Sequence, residues 1–352
     1  MMLGRSMEPS VVLRVGVAKG FALTIAIAAS ACSAASGNSQ GGNQATLAGY
    51  KVVREVQLPG DTSRWDYQTF EPLTHRLYIA HLGQSQVIAF DTQTQKVVGV
   101  VDNVSSVHGL VVAPDIQHLF ASATGRDEIA VIDKVSLKVV ASVRGGSYPD
   151  GIAYAPRQGK IFISDEQGSG DTVVDVRTNR PVGQIDLGSD IGNSQYDPGT
   201  GLVYVAVGGS NQLAVIDPQT NAVLAKYSVP DCEGAHGVQI DTAAKHRAFI
   251  ACEGNSKLVV FDLLAKRPSG VFDVGDTPDV LALDSPVDRL YVAAEAGQLA
   301  VFDIAGPTLK KIAQGNAGPN AHTVSVDSQT HLVYLPLTNL DGHAVLREME
   351  PQ

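Results

Sequence analysis

The chain has 352 residues with 35 glycines, 44% hydrophobic and only 18% charged residues, and a formal net charge of −10. Its length allows a sizeable core in one to three domains, and its acidic balance works against a nucleic-acid partner, which basic surface would have to hold. Val, Ile and Thr recur in short alternating runs and no amphipathic helical stretch of any length occurs, so the expected class is all-β.

Residues 1–31 read as an export signal. Arg5, Arg14 and Lys19 stand against the single acid Glu8, the apolar run FALTIAIAASA at 21–31 is too short to span a bilayer, and Cys32 follows two small residues. Ala29-Ser30-Ala31-Cys32 resembles a bacterial lipoprotein processing site, with Cys32 as the lipidated N-terminus; ordinary cleavage to a soluble exported protein is the alternative. Residues 32–49, rich in Ser, Gly, Asn and Gln, read as a flexible linker. Removal of 1–31 takes three of the 26 basic and one of the 36 acidic residues, which leaves 23 against 35, about −12. The membrane is then reached through the lipid alone, and the location is periplasmic or at the outer membrane.

From Trp65 onward the chain repeats. LYIAHLGQSQVIAFD (77–91) returns as LFASATGRDEIAVID (119–133), VYVAVGGSNQLAVID (203–217), AFIACEGNSKLVVFD (248–262) and LYVAAEAGQLAVFD (290–303), each followed by a polar turn and a further strand such as KVVGVV. A repeat of this length with four strands per unit is the pattern of a propeller blade. The repeats resemble the YVTN family of exported β-propellers, with departures at the motif's Asn, which is Ala or Val in several copies, and at its turn Pro, replaced by Val107, Ala235 and Ala321. The resemblance covers about 50–352 and implies a seven-bladed β-propeller without fixing a function. The seventh blade supplies three strands at the C-terminus, and KVVREV at 51–56 matches the missing fourth. An N-terminal strand is therefore expected to complete the last blade and close the ring, which removes two exposed sheet edges.

The aspartates at 91, 133, 175, 217, 262 and 303 are expected only to accept backbone N–H bonds in tight turns. The position before the first strand of each blade is more informative: it holds Asp66, His108, Asp150, Gly192, His236, Asp279 and His322. Because the last blade adjoins the first, a circuit from blade 5 reads His, Asp, His, Asp, His, Asp, then the gap at Gly192. Three readings stand side by side: a hydrogen-bonded channel mouth, a divalent metal or small ligand held on the axis by imidazoles whose tautomers the neighbouring carboxylates fix, and acid/base catalysis by a His-Asp pair. His75, His118, His246 and His331 recur at the turn into the second strand and are expected on the opposite face.

Loops joining second and third strands should share the ring's face, which adds Trp65, His81, Asp165, Glu166, Glu253 and Glu295 as candidates for an acidic pocket suited to a cation. Cys232 and Cys252 also fall there, either as a disulfide closing about 20 residues or as soft metal ligands with His236. Signatures of P-loop, zincin and serine-hydrolase chemistry are missing. The expected protein is thus a monomeric exported propeller that binds a small ligand, a metal or a periplasmic protein partner at its acidic mouth. A metal-dependent lyase or lactonase and a non-catalytic scaffold are the alternatives.

Overall fold

A computed structural model describes residues 45–241 and 245–352. The segment read as an export signal, 1–31, and Cys32 lie outside them. The fold is all-β: seven sheets of four antiparallel strands, which in six of them are hydrogen-bonded to their neighbours in sequence order. Blade 1 runs from Gln68 to Val101, blade 2 from Val107 to Arg144, blade 3 from Pro149 to Asp186, blade 4 from Ser194 to Ser228, blade 5 from Ala235 to Asp273 and blade 6 from Pro278 to Asn316. Blade 7 joins Ser325–Asp327, Leu332–Leu340 and His343–Pro351 to the N-terminal strand Tyr50–Gln57.

Burial within a blade follows from this geometry. Second and third strands such as Arg76–His81 and Gln86–Asp91 are buried along nearly their whole length, because neighbouring blades cover both faces, and they accordingly read as continuous apolar runs. The fourth strand lies at the rim, and Lys96–Val101 is half exposed despite its valines. Each apolar cluster is formed mainly between adjacent sheets, as where Tyr78, Ala89, Leu110 and Leu119 meet between blades 1 and 2.

The ring closes as the sequence requires. Tyr50–Gln57 pairs antiparallel with His343–Pro351 in the register Lys51↔Glu350 and Glu55↔Arg347. Side chains reinforce it: the Arg347 guanidinium donates to Glu55 Oε1 at 2.9 and 2.6 Å, and Lys51 pairs with Glu350 at 2.9 Å. Residues 45–49, the end of the segment read as a tether, lie along blade 6, with Leu47 buried and the Thr46 N–H donating to Asn316 O at 2.9 Å.

The recurrent aspartates are turn residues: Asp91 accepts from the Gln93 and Thr94 N–H groups, Asp133 from Val135 and Ser136, and Asp262 from Leu264 and Ala265. Those bonds hold the carboxyls of Asp91 and Asp133 below their usual range. His75, His246 and His331 take left-handed backbone at the turn between first and second strands, and His118 begins the second strand of blade 2. They belong to the other end of the blades from the ring.

Candidate functional site

The first strands of neighbouring blades touch around the axis. A Cβ on Gly192 would lie 2.4 Å from the His236 backbone, and one on Gly109 would lie 2.0 Å from Asp150 O. The gap in the ring at Gly192 is thus a close approach of two strands, which no side chain fits. At this narrow end the six ring side chains converge. Among the described residues three sets of metal-ligating atoms occur, the atoms of each set within 4.8 Å of one another: Asp66, Asp279 and His322; Asp66, His108 and Asp150; and His236, Glu253 and Asp279.

Each imidazole is oriented by an identifiable partner. His322 Nδ1 lies 3.1 Å from Asn320 O and His108 Nδ1 lies 2.8 Å from Ser106 O. A carbonyl can only accept, so both Nδ1 atoms carry a proton, and in the neutral imidazole the lone pair lies on Nε2. The carbonyl two residues earlier does this because Ser106 and Asn320 are in left-handed turns that fold it back under the ring. Backbone carbonyls, not the neighbouring carboxylates, therefore fix these two tautomers, which corrects the expectation from sequence. His108 Nε2 accepts from the Tyr148 hydroxyl at 3.1 Å and lies 3.7 Å from Asp66 Oδ2. The buried His322 Nε2 has no hydrogen-bond partner, and neither has Asp150 Oδ1.

His236 behaves differently. Its Nε2 is 3.4 Å from Asp279 Oδ1, 3.8 Å from Glu253 and 3.9 Å from Asp150. Burial works against its charge, but the hydrogen bond to Asp279 and the surrounding carboxylates prevail and push it up to about 10. Asp279, whose burial alone would raise it, is held below the usual range by His236. Asp66 goes well above the carboxylate range through burial and the charges of Asp150 and Asp279, and Asp150 rises to about 7, chiefly by burial and partly offset by His236.

The floor of the site is a residue that the sequence analysis passed over. Tyr67 crosses the axis: its hydroxyl accepts from Asn193 Nδ2 at 2.6 Å and lies 3.4 Å from both Asp279 Oδ1 and His236 Nε2. Beneath it the channel opens into a cavity of about 580 Å³ that Tyr67, Asn193 and Asp279 also line. The signal was present, because the residue after the ring position is Gly109, Gly151 and Gly237 in blades 2, 3 and 5, Asn193, Val280 and Thr323 in blades 4, 6 and 7, and the one aromatic, Tyr67, in blade 1. Arg64 was missed as well. It sits at the mouth, pairs with Glu295 at 2.6 Å, and joins His108 and Tyr148 in lining one side of the opening.

The secondary pocket candidates divide. Glu166 and Glu253 line a recess beside His236, and Glu295 joins Arg64 to Asn320 Nδ2 at 3.1 Å. Trp65 and His81 do not line the pocket. They are fully buried and stacked with ring centroids 3.8 Å apart, and His81 Nε2 lies 3.2 Å from Ser63 Oγ. Burial pulls His81 down to about 4, so it is a neutral core residue of blade 1. Asp165 is also structural: it accepts from Thr172 Oγ1 at 2.7 Å and from the Gly146 N–H at 3.0 Å. Second-to-third-strand loops lie at this face, but His81 and Asp165 are the last residues of their second strands and are claimed by packing, whereas Glu166, Glu253 and Glu295 stand one residue further on, at the mouth. Cys232 and Cys252 form a disulfide with Cα atoms 5.3 Å apart, which rules them out as metal ligands beside His236.

The chain matches no family model and none of the curated proteins. Solved structures resemble it over the propeller. Hydrazine synthase from Kuenenia stuttgartiensis aligns at a TM-score of 0.68 with 16% identity, over 84% of this chain and 97% of that one. The RRP9 WD40 repeats align at 0.71 with 10% identity, over 86% and 100%, and U3-55K at 0.69 with 10% identity, over 85% and 98%. At these identities the likeness establishes the seven-bladed fold.

Proposed function

We propose that this chain is an exported, lipid-tethered propeller that binds a divalent transition-metal cation at the mouth of its central channel. One observation carries the binding: the buried, unpartnered Nε2 of His322 belongs to a set of ligand atoms completed by Asp66 and Asp279. A buried polar atom without a partner costs about 1–3 kcal/mol, and a cation would relieve that cost while neutralising the carboxylates. A nitrogen whose opposite ring N–H donates to a carbonyl is prepared for ligation in the way metal-binding histidines usually are. Ligand atoms about 2 Å from one ion stand roughly 3–3.5 Å apart, so closing a set takes side-chain movement on the order of 1 Å. Mixed imidazole and carboxylate donors favour Zn, Ni, Co or Mn over Ca. The disulfide accords with export to an oxidising compartment. A second reading, metal-dependent lyase or lactonase chemistry at the same mouth, draws on Asp150, whose rise to about 7 gives a buried carboxyl able to exchange a proton near neutral pH.

Thermal unfolding with and without metal tests the binding. A cation at about 100 times its Kd adds roughly 2.7 kcal/mol to folding stability, a rise of several degrees that chelator reverses. His322→Ala and His108→Ala should diminish that rise, whereas His75→Ala and His118→Ala, at the other end of the blades, should leave it intact. No rise with Zn, Ni, Co or Mn, or equal behaviour of the two pairs of variants, would leave only a hydrogen-bonded channel mouth.

A further inference from the structure

We infer that the mouth holds two divalent cations side by side, one on His108, Asp66 and Asp150 and the other on His236, Asp279 and Glu253, with His322 between them. The inference rests on the metal reading above and extends it from a site to a paired centre. Of the three ligand sets, these two have no residue in common, so both can be filled without competition for a side chain. The third set takes Asp66 from one, Asp279 from the other, and adds His322. His322 can therefore complete the coordination of either ion. Its free Nε2 is the donor, since Nδ1 is committed to Asn320 O.

The two sets are neighbours. Asp150 Oδ2 of the first lies 3.9 Å from His236 Nε2 of the second, so ligands of the two ions are in contact. Paired catalytic cations typically stand about 3.5–4 Å apart and share carboxylates or bound water. Asp66 and Asp279, each belonging to two sets, are the carboxylates placed to be shared.

The same donors carry the negative charge that cations would meet. Asp66, Asp150, Asp279 and Glu253 supply four carboxylates, three of them almost fully buried. The nearby guanidinium, Arg64, is already paired with Glu295 at 2.6 Å. His236 already balances Asp279, and it gives up its Nε2 proton when a cation takes that place, so each cation meets carboxylates drawn from its own set. Uncompensated buried charge is strongly unfavourable, so cations held at these carboxylates are stabilised there. The free side of the centre, between Arg64 and Tyr148, faces the solvent, and an oxyanion such as phosphate or carboxylate has access to the ions there.

Stoichiometry decides the matter. Full-length protein freed of metal with chelator and titrated with Zn²⁺ by calorimetry, with elemental analysis after desalting, should take up two ions per chain. His108→Ala combined with Asp150→Asn should retain one, and His236→Ala combined with Glu253→Gln should retain one. The wild-type protein loaded with Mn²⁺ gives a check that no variant can confound: a pair of close ions shows an exchange-broadened, multiline paramagnetic resonance spectrum, and an isolated ion shows six lines. One ion per chain with a six-line spectrum would overturn the paired centre and leave the single site standing. No bound ion would overturn the metal reading itself.

Discussion

Closure of the ring gives a prediction whose size follows from burial. Arg347, on the strand His343–Pro351, has a side chain only 3% exposed, and it donates to Glu55 Oε1 on the N-terminal strand and to Ala317 O at 2.7 Å. Removing one member of a fully buried pair costs about 3–5 kcal/mol, because the charge left behind stays desolvated. Glu55 is 37% exposed, so water already screens part of the interaction, and the loss expected for Glu55→Ala drops to about 2 kcal/mol. For a domain this large, that is a fall in Tm of roughly 3 °C. The ion pair Lys51–Glu350 joins the same two strands with side chains 52% and 37% exposed. Such pairs contribute about 0–1 kcal/mol, and Lys51→Ala should lower Tm by less than about 2 °C. Scanning calorimetry of both variants at one scan rate, with limited proteolysis to follow release of the N-terminal strand, measures the contrast. Equal shifts, or an unchanged Tm for Glu55→Ala, would refute the idea that the N-terminal strand neutralises a buried arginine as it closes the ring.

Replacing Cys232 and Cys252 together with serine opens a loop of 20 residues, which in the chain-entropy account costs about 3 kcal/mol; calorimetry should find Tm lower, and an unchanged Tm would mean that the strand pairing Ala235↔Cys252 alone fixes the loop. Burial pushes Asp171 up to about 8, partly offset by bonds from Ser194 Oγ, so the native state holds a proton that the unfolded chain releases near pH 4. Between about pH 4 and pH 8 the folded chain keeps a proton at Asp171 that the unfolded chain lacks, so the contribution of this group to stability falls as pH rises. Denaturant titrations across that range should show a shallower slope for Asp171→Asn; an identical slope would show that Asp171 is ionised in the folded protein.

The blade count, the strand order, the closing strand and the turn aspartates were legible in the sequence, because each arises from a local rule repeated seven times. Alternation sets a strand, Asp or Asn with Gly sets a turn, and a repeat that is one strand short must recover it from the other terminus. The ring of histidines and aspartates was legible for the same reason, since equivalent positions in a closed repeat must face one axis. What the residues do to one another at that axis was decided by tertiary structure. Trp65 and His81 occupy the same stretch of repeat as true mouth residues, yet they stack in the core of blade 1, because only the packed blade shows which way a side chain turns at a strand end. Tyr67 reaches Asn193 of blade 4, His236 of blade 5 and Asp279 of blade 6 across the channel, partners that only the closed ring brings within its range. The charge states at the mouth lie furthest from the sequence: His236 goes up and His108 goes down, although both precede a glycine at the same place in the repeat, because Asp279 reaches one imidazole at 3.4 Å while burial governs the other. Periodicity fixes where a residue stands in a blade, but desolvation and the carboxylates brought in from neighbouring blades fix its chemistry, and those exist only once the ring has closed.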